Sequence, residues 1–258
     1  MIKKSLLLLV YNGENYIDRA LESVYKQNIR LDEIVVINDA SSDNTLRILE
    51  NWQNRLPLVI VNNAENIGIF ASLNQGVNKC TGELIFRIDH DDVWMPTHVQ
   101  EIIQLYKEDK EAKLYASRAI YLNEKGDFLK YSDILEDFNI RKKLLWDNPF
   151  VQSSTAFFKK DFLKIIQSKK MYSSEDYDLW IKLLRLGRLK FNSKITIYYY
   201  VYGNSLSRKN KNRNYRERFF CQLTAINSFF RKYPFRSIFI FIIVFIRLAL
   251  NLRFGRFN

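Results

Sequence analysis

The strongest constraint on this chain is an alternation that fills its first third. Apolar runs of strand length occur at 5–10, 33–38, 58–62 and 84–89. Between them, residues 15–27, 43–52 and 69–79 place apolar side chains every three or four positions, as in Tyr16/Ile17, Ala20/Leu21 and Val24/Tyr25. The first pattern is that of a strand covered on both faces, and the second is that of an amphipathic helix. Strands joined through helices lie parallel, so the expected fold class is α/β: a Rossmann-like, mostly parallel sheet flanked by helices. In such sheets ligands bind beyond the carboxyl ends of the strands.

The polar residues gather at those ends. The four runs lead into Tyr11-Asn12, Asn38-Asp39-Ala-Ser-Ser-Asp43, Asn62-Asn-Ala-Glu-Asn66-Ile-Gly68 and Asp89-His-Asp-Asp92. The last places three carboxylates within four residues at the mouth of a buried strand. Their mutual repulsion is relieved by a divalent cation, and Mg²⁺ or Mn²⁺ favours a few carboxylates plus phosphate oxygens. A solvated acidic turn is the plainer alternative. Asp39 is placed to accept from a nucleobase N–H, although Ser41, Ser42 and Asp43 also suit a turn and a helix cap. Glu175-Asp176 opens a helix over 174–186. By spacing alone these acids read as a complement to the helix dipole, or as half of a capping box with Ser173.

Downstream, helices are expected at 97–107 and 161–167, and β structure at 114–121, 152–158 and 194–202. Residues 125–127 form a turn, and 130–150 carry no clear period. The two histidines have no Ser or Cys partner in a recognisable motif, and no Gly-rich phosphate loop is present. The two cysteines form no CxxC pair, which fits a reducing compartment. At the N-terminus, the apolar run 5–10 is too short for a signal peptide and is expected to be a buried strand.

Charge divides the chain. Residues 205–258 hold 12 Lys/Arg and one acid, whereas the rest is nearly neutral, with 28 bases and 27 acids. The tail is expected to be helical, over 216–231 and then 237–252 after Pro234. The apolar run 238–246 is too short to span a bilayer and is interrupted by Arg247. It suits an interfacial helix on an anionic membrane surface. The alternative is packing on the body or on a second copy, which would make a homo-oligomer. Such an apolar run does not suit a nucleic-acid arm.

Five segments in order are similar to family-2 glycosyltransferases of the GT-A fold. They are Val10-Tyr-Asn-Gly-Glu14, Glu33-Ile-Val-Val-Ile-Asn-Asp-Ala-Ser-Ser-Asp43, Asn66-Ile-Gly68 with Asn74-Gln-Gly76, Thr81-Gly-Glu-Leu-Ile-Phe-Arg-Ile-Asp-His-Asp-Asp-Val-Trp-Met-Pro96, and Ser174-Glu-Asp-Tyr-Asp-Leu-Trp180. The resemblance covers about residues 4–207. It implies an inverting transfer of a sugar from a UDP- or dTDP-sugar to the hydroxyl of a glycan or lipid-linked glycan, in bacterial surface polysaccharide synthesis. Tyr11, Asn12, Glu14, Asp39, Asn66, Gly68, Asn74 and Asp89 would then hold the donor. Asp91, with Asp89 and Asp92, would hold Mn²⁺ or Mg²⁺ in a DxD motif, and Asp176 would be the catalytic base. Glu175, Trp180, Gln152 and Tyr202 would lie on the acceptor side.

The resemblance also divides the chain. Residues 1–110 would be the nucleotide-sugar half, and 111–207 the acceptor and base half of the same domain. Residues 208–258 would be a membrane-associated tail holding the enzyme on the cytoplasmic face of the inner membrane. The chain departs from the family pattern at Leu9, where Pro is frequent, at Leu73, where Arg is frequent, and at Tyr202, where a metal-binding His is frequent. Two other readings remain: a sugar nucleotidyltransferase, and a non-enzymatic basic protein that binds membrane or nucleic acid.

Overall fold

A computed structural model describes residues 2–135, 137–165, 174–203 and 211–230. The chain runs β1 (Lys4–Val10), α1 (Ile17–Tyr25), β2 (Glu33–Asn38), α2 (Thr45–Trp52), β3 (Leu58–Asn62), α3 (Ile69–Lys79) and β4 (Leu84–Asp89). It continues through β5 (Val93–Trp94), α4 (His98–Glu108), β6 (Leu114–Asn123), β7 (Phe128–Tyr131) and α5 (Asp137–Lys143). A 3₁₀ turn at Gln152–Ser154 leads to β8 (Thr155–Phe158), α6 (Lys159–Phe162), α7 (Glu175–Leu186), β9 (Leu189–Val201) and α8 (Lys211–Phe230).

One sheet holds the nine strands of the described residues, in the order β3-β2-β1-β4-β8-β6-β9-β5, with β7 added to β6. β1 to β4 are mutually parallel. β8 runs against both β4 and β6, and this returns β6 and β9 to the direction of β4. The mostly parallel α/β expectation is met, and the antiparallel β8 is the hinge between the two sets of parallel strands.

The apolar runs explain the layering. Every residue of β1 is buried. Leu7 and Leu9 face a cluster with α3, α7 and α8, whereas Leu6 and Leu8 face a second cluster with α1, α2 and α4. α3 lies so close to the sheet that a Cβ at Gly76 would collide with Leu7 Cδ1, so only glycine admits this approach.

The sequence reading differs from the structure in several places, among them α5 and the 3₁₀ turn at the start of the strand expected at 152–158. β9 begins five residues earlier than expected and pairs along β6. β5 and β7 were not expected. β5 is only two residues long, and β7 is exposed at every position, so neither carries a burial period. The helix expected at 161–167 is a single turn, at 159–162. Tail helix α8 is built into the body: Cys221, Ala225 and Ile226 join the core beside α7. Among the described residues no helix is long and apolar enough to cross a membrane. The interfacial helix expected at 237–252 lies outside the described residues.

Candidate active site

Register places the polar strand ends side by side. Leu9 pairs with Asp89, Val10 with Asn38, and Asn38 with Asn62, so the loops after β1, β2, β3 and β4 share one edge. The chain turns sharply there, with Asn12 at φ 51° and Ala40 at φ 59°. Asn tolerates this left-handed region, but Ala40 occupies it at a cost.

On the β1–β3 side, carboxylates hold the loops. Asp39 is buried and accepts from Asn63 Nδ2 (2.8 Å), Ile67 N–H (3.0 Å) and Gly68 N–H (2.9 Å). Asn66 Nδ2 donates to the Asp39 carbonyl (3.2 Å), so the whole 63–68 loop wraps this residue. Gly68, at φ 83°, starts α3. Glu14 accepts from Asn44 N–H (3.0 Å) and Asn44 Nδ2 (2.9 Å). Asn12 Oδ1 accepts from Ser42 N–H (2.9 Å). Burial alone would raise the Asp43 carboxyl, but donors from Thr45 and from Glu14 N–H outweigh it and hold it below the usual range. Tyr11 stands half exposed at this mouth. Asn74 turns back into α3, where its Nδ2 donates to Phe70 O (3.0 Å).

The three acids after β4 separate by role. Asp89 sits at the strand end, with its N–H donating to Ser153 Oγ (2.9 Å). Burial and the nearby Asp91 charge push its carboxyl up, against the pull of Arg87. Asp91 is partly exposed, and its backbone carbonyl accepts from Arg19 Nη2 (2.9 Å). Asp92 was expected in the metal shell, but it is fully buried and points inward. It accepts from the Ser153 hydroxyl and from Tyr200 N–H (3.2 Å), tying the turn to β9. Burial and the two neighbouring acids push it well above the carboxylate range. Among the described residues no three His, Cys, Asp or Glu side chains converge as a metal cage. The partly exposed pair Asp89 and Asp91 still fits a cation whose remaining ligands are phosphate oxygens and water.

A second group of acids meets this edge from α7, around a cation that the sequence reading left without a role. Arg87 is 1% exposed, with Nη2 lying 3.9 Å from Asp89 Oδ1. Gln152, with its carbonyl oxygen turned to the guanidinium, accepts from Nη1 (3.2 Å). Burial lowers the Arg87 pKa, whereas Asp89, Glu175 and Asp176 support its charge. Glu175 is 4% exposed; burial, then the Asp176 charge, push it to about 8. Burial also raises Asp176, to about 6, against hydrogen bonds from Tyr177 N–H and Asn148. Asp176 Oδ1 accepts from Tyr177 N–H (2.6 Å) and Oδ2 from Asn148 Nδ2 (2.6 Å). The N-cap of α7 is Ser174, which makes no side-chain cap bond. Ser173, expected in a capping box with Asp176, lies outside the described residues.

Three acceptor-side assignments need correction. Trp180 is fully buried and packs edge-on to Phe150, with ring centres 6.1 Å apart. Its position on the apolar stripe with Leu179, Leu183 and Leu184 turns it into the core. Gln152 is buried, with its amide oxygen engaged by Arg87. Tyr202 is also buried, and its hydroxyl accepts from Arg19 Nη2 (2.9 Å). The Arg19 guanidinium lies 3.7 Å from the Tyr200 ring centre, so an Arg–Tyr cluster fills the space beside Asp91. Sequence reasoning missed Arg87, Arg19, Ser153 and Asn148. Arg87 alone left a signal, as an arginine inside an apolar strand.

Known proteins resemble this chain in sequence and in fold. Residues 5–166 match the model of Glycosyl transferase family 2. The amylovoran biosynthesis glycosyltransferase AmsE of Erwinia amylovora is 28% identical over 214 residues, covering 82% of this chain and 80% of that protein. A UDP-Gal:alpha-D-GlcNAc-diphosphoundecaprenol beta-1,3-galactosyltransferase of Escherichia coli is 26% identical over 189 residues, 72% of this chain and 69% of that one. Among solved structures, S. aureus TarS 1–349 with UDP-GlcNAc superposes at TM-score 0.72 with 20% identity, over 88% of this chain and 67% of that chain. The mannosyltransferase PcManGT of Pyrobaculum calidifontis, solved with GDP-Man and Mn²⁺, superposes at 0.65 with 14% identity, over 99% and 88%. With the ordered strand-end loops and the acids of α7, these matches establish that the chain belongs to glycosyl transferase family 2 and is a glycosyltransferase of the GT-A fold.

Proposed function

We propose that this enzyme transfers a sugar, with inversion, from a UDP- or dTDP-sugar to a hydroxyl of a glycan or lipid-linked glycan. The observation that carries the reading is the meeting of two acids from distant segments at one strand edge. The Asp89 charge from β4 helps to raise Asp176 of α7, and both acids support the charge of the shared Arg87. One faces the donor loops and the other stands where a proton must leave.

Single displacement needs a base on the face of the sugar opposite the leaving group. Asp176 fits that part. Each oxygen holds one donor and keeps a lone pair, and its raised pKa makes it a stronger base than a surface carboxylate while leaving it ionised at pH 7. Tyr11, Asn12, Glu14 and Asp39, with the 63–68 loop, line the nucleoside end. Asp91 and Asp89 would hold Mn²⁺ or Mg²⁺ against the diphosphate. When bound, such an ion neutralises the charge that builds on the departing nucleoside diphosphate.

Two relatives support the substrate class. The E. coli relative's name gives a UDP-Gal donor and a diphosphoundecaprenol-linked acceptor, and TarS was solved with UDP-GlcNAc. A role in bacterial surface polysaccharide synthesis, peripheral on the cytoplasmic face of the inner membrane, follows from that analogy and from the basic, apolar tail. A panel of nucleotide sugars with Mn²⁺ tests the activity. Release of nucleoside diphosphate with acceptor glycosylation is expected, whereas pyrophosphate release would indicate a nucleotidyltransferase. Asp91→Ala is expected to abolish metal-dependent donor binding. Salt washing of membranes should release the protein if the tail holds it electrostatically.

A further inference from the structure

The loop before the 3₁₀ turn carries a side chain that no sequence motif singled out. Asn148 is partly buried, and its Nδ2 lies 2.6 Å from Asp176 Oδ2. Its own Oδ1 accepts from Phe150 N–H (3.3 Å), which fixes the amide with its donor end toward the acid. The other Asp176 oxygen is taken by Tyr177 N–H, a bond that α7 itself supplies. Asn148 therefore decides which lone pair of Oδ2 faces the cleft.

The loop has a brace behind it. Gln222 Nε2 of α8 donates to Trp146 O (2.9 Å), and Arg218 pairs with Asp147. The Cys221 thiol lies 3.8 Å from Ser174 O, at the residue that starts α7. One helix thus holds both the loop that carries Asn148 and the helix start that carries Asp176.

We infer that Asn148, held by the braced 146–148 loop, is a positioning residue that orients Asp176, so that α8 is part of the catalytic scaffold. This rests on the reading of Asp176 as the base. The charged and titratable groups around Asp176 are Arg87 and Asp89 from β4, Glu175 from α7, Tyr121 from β6 and Cys221 from α8. Against that background, the Asn148 donor is a neutral aid to the anion. Its loss disfavours the ionised form, and the acidic limb of turnover then moves to higher pH.

The test measures kcat, donor KM and the pH profile of transfer for wild type, Asn148→Ala, Asn148→Asp and Gln222→Ala, with Asp176→Asn as control. Asn148→Ala is expected to lower kcat about tenfold to a hundredfold, with donor KM changed less than about twofold and the acidic limb raised by about half a pH unit. Asn148→Asp matches the shape of Asn but replaces the donor with a charge, so it is expected to lose more and move the limb further. Gln222→Ala, farther out, should show a smaller change in the same direction.

An unmoved acidic limb in both Asn148 variants overturns the inference, whether or not kcat falls, because a merely structural role would lower activity without shifting it. If those variants do not fold, an unchanged profile for Gln222→Ala overturns it instead. Near-normal turnover by Asp176→Asn would remove the base reading itself, which is a separate failure.

Discussion

The two banks of the cleft use carboxylates in opposite ways. On the β1–β3 bank, Glu14, Asp39 and Asp43 are met by backbone and amide donors from neighbouring loops, and Asp43 is held below its usual range. On the β4–α7 bank, Asp89, Glu175 and Asp176 surround one buried guanidinium, and burial raises all three, as it raises the inward-facing Asp92. The first bank holds its loops in place, as the proposed donor site needs. The second bank raises its acids by burial, and among them Asp176 is the proposed base.

The comparison breaks most sharply at Asp176. Asp176→Asn keeps the shape but cannot take a proton, and about a thousandfold loss of kcat is expected with donor affinity unchanged, read by transfer assay and donor titration. An equally large loss of donor affinity would erase the division between the banks. Next in size is Arg87→Met, which leaves three acids around an empty centre. A loss of about 3–5 kcal/mol in chemical denaturation is expected.

Stability against pH sharpens the contrast. Glu175 and Asp176 have folded pKa values raised above their unfolded ones, to about 8 and about 6. Their contribution is therefore greatest below the unfolded values and is lost as pH rises through the folded ones. Asp43 runs the other way: its contribution is present above its unfolded value and lost as pH falls through its depressed one. Glu175→Gln should accordingly stabilise the protein at pH 8 much more than at pH 5, measured by thermal melts. The smallest effect belongs to the first bank. Gly68→Ala, forced to φ 83°, should cost about 1 kcal/mol and weaken donor binding through the 63–68 loop.

The same division marks what could be read from the sequence. β3, α3 and β4 have the boundaries that their apolar periods gave, because burial on both faces leaves a local trace. The loops 39–43, 63–68 and 89–92 also fall where expected, at strand ends. What the sequence hides is direction. Asp91 and Asp92 are adjacent and chemically identical, and only the bonds from Ser153 and Tyr200 show that Asp92 is turned inward. Asn148 lies in a stretch without period, and its partner is 28 positions away. Trp180 looked like a site residue because it ends a motif, yet its helical phase alone placed it on the core stripe.

Strand β4 belongs to both banks at once, with β1 on one side and the reversed β8 on the other. Its side chains alternate between the two faces, and its last residue is Asp89. A slip of one position along its neighbours would send the acid to the wrong face. A slip of two would restore the facing but carry the carboxylate about 7 Å along the cleft. No graded sliding of this strand can tune the enzyme, so length changes within 84–89 should be silent nowhere, and new donor preferences must arise from the loops instead.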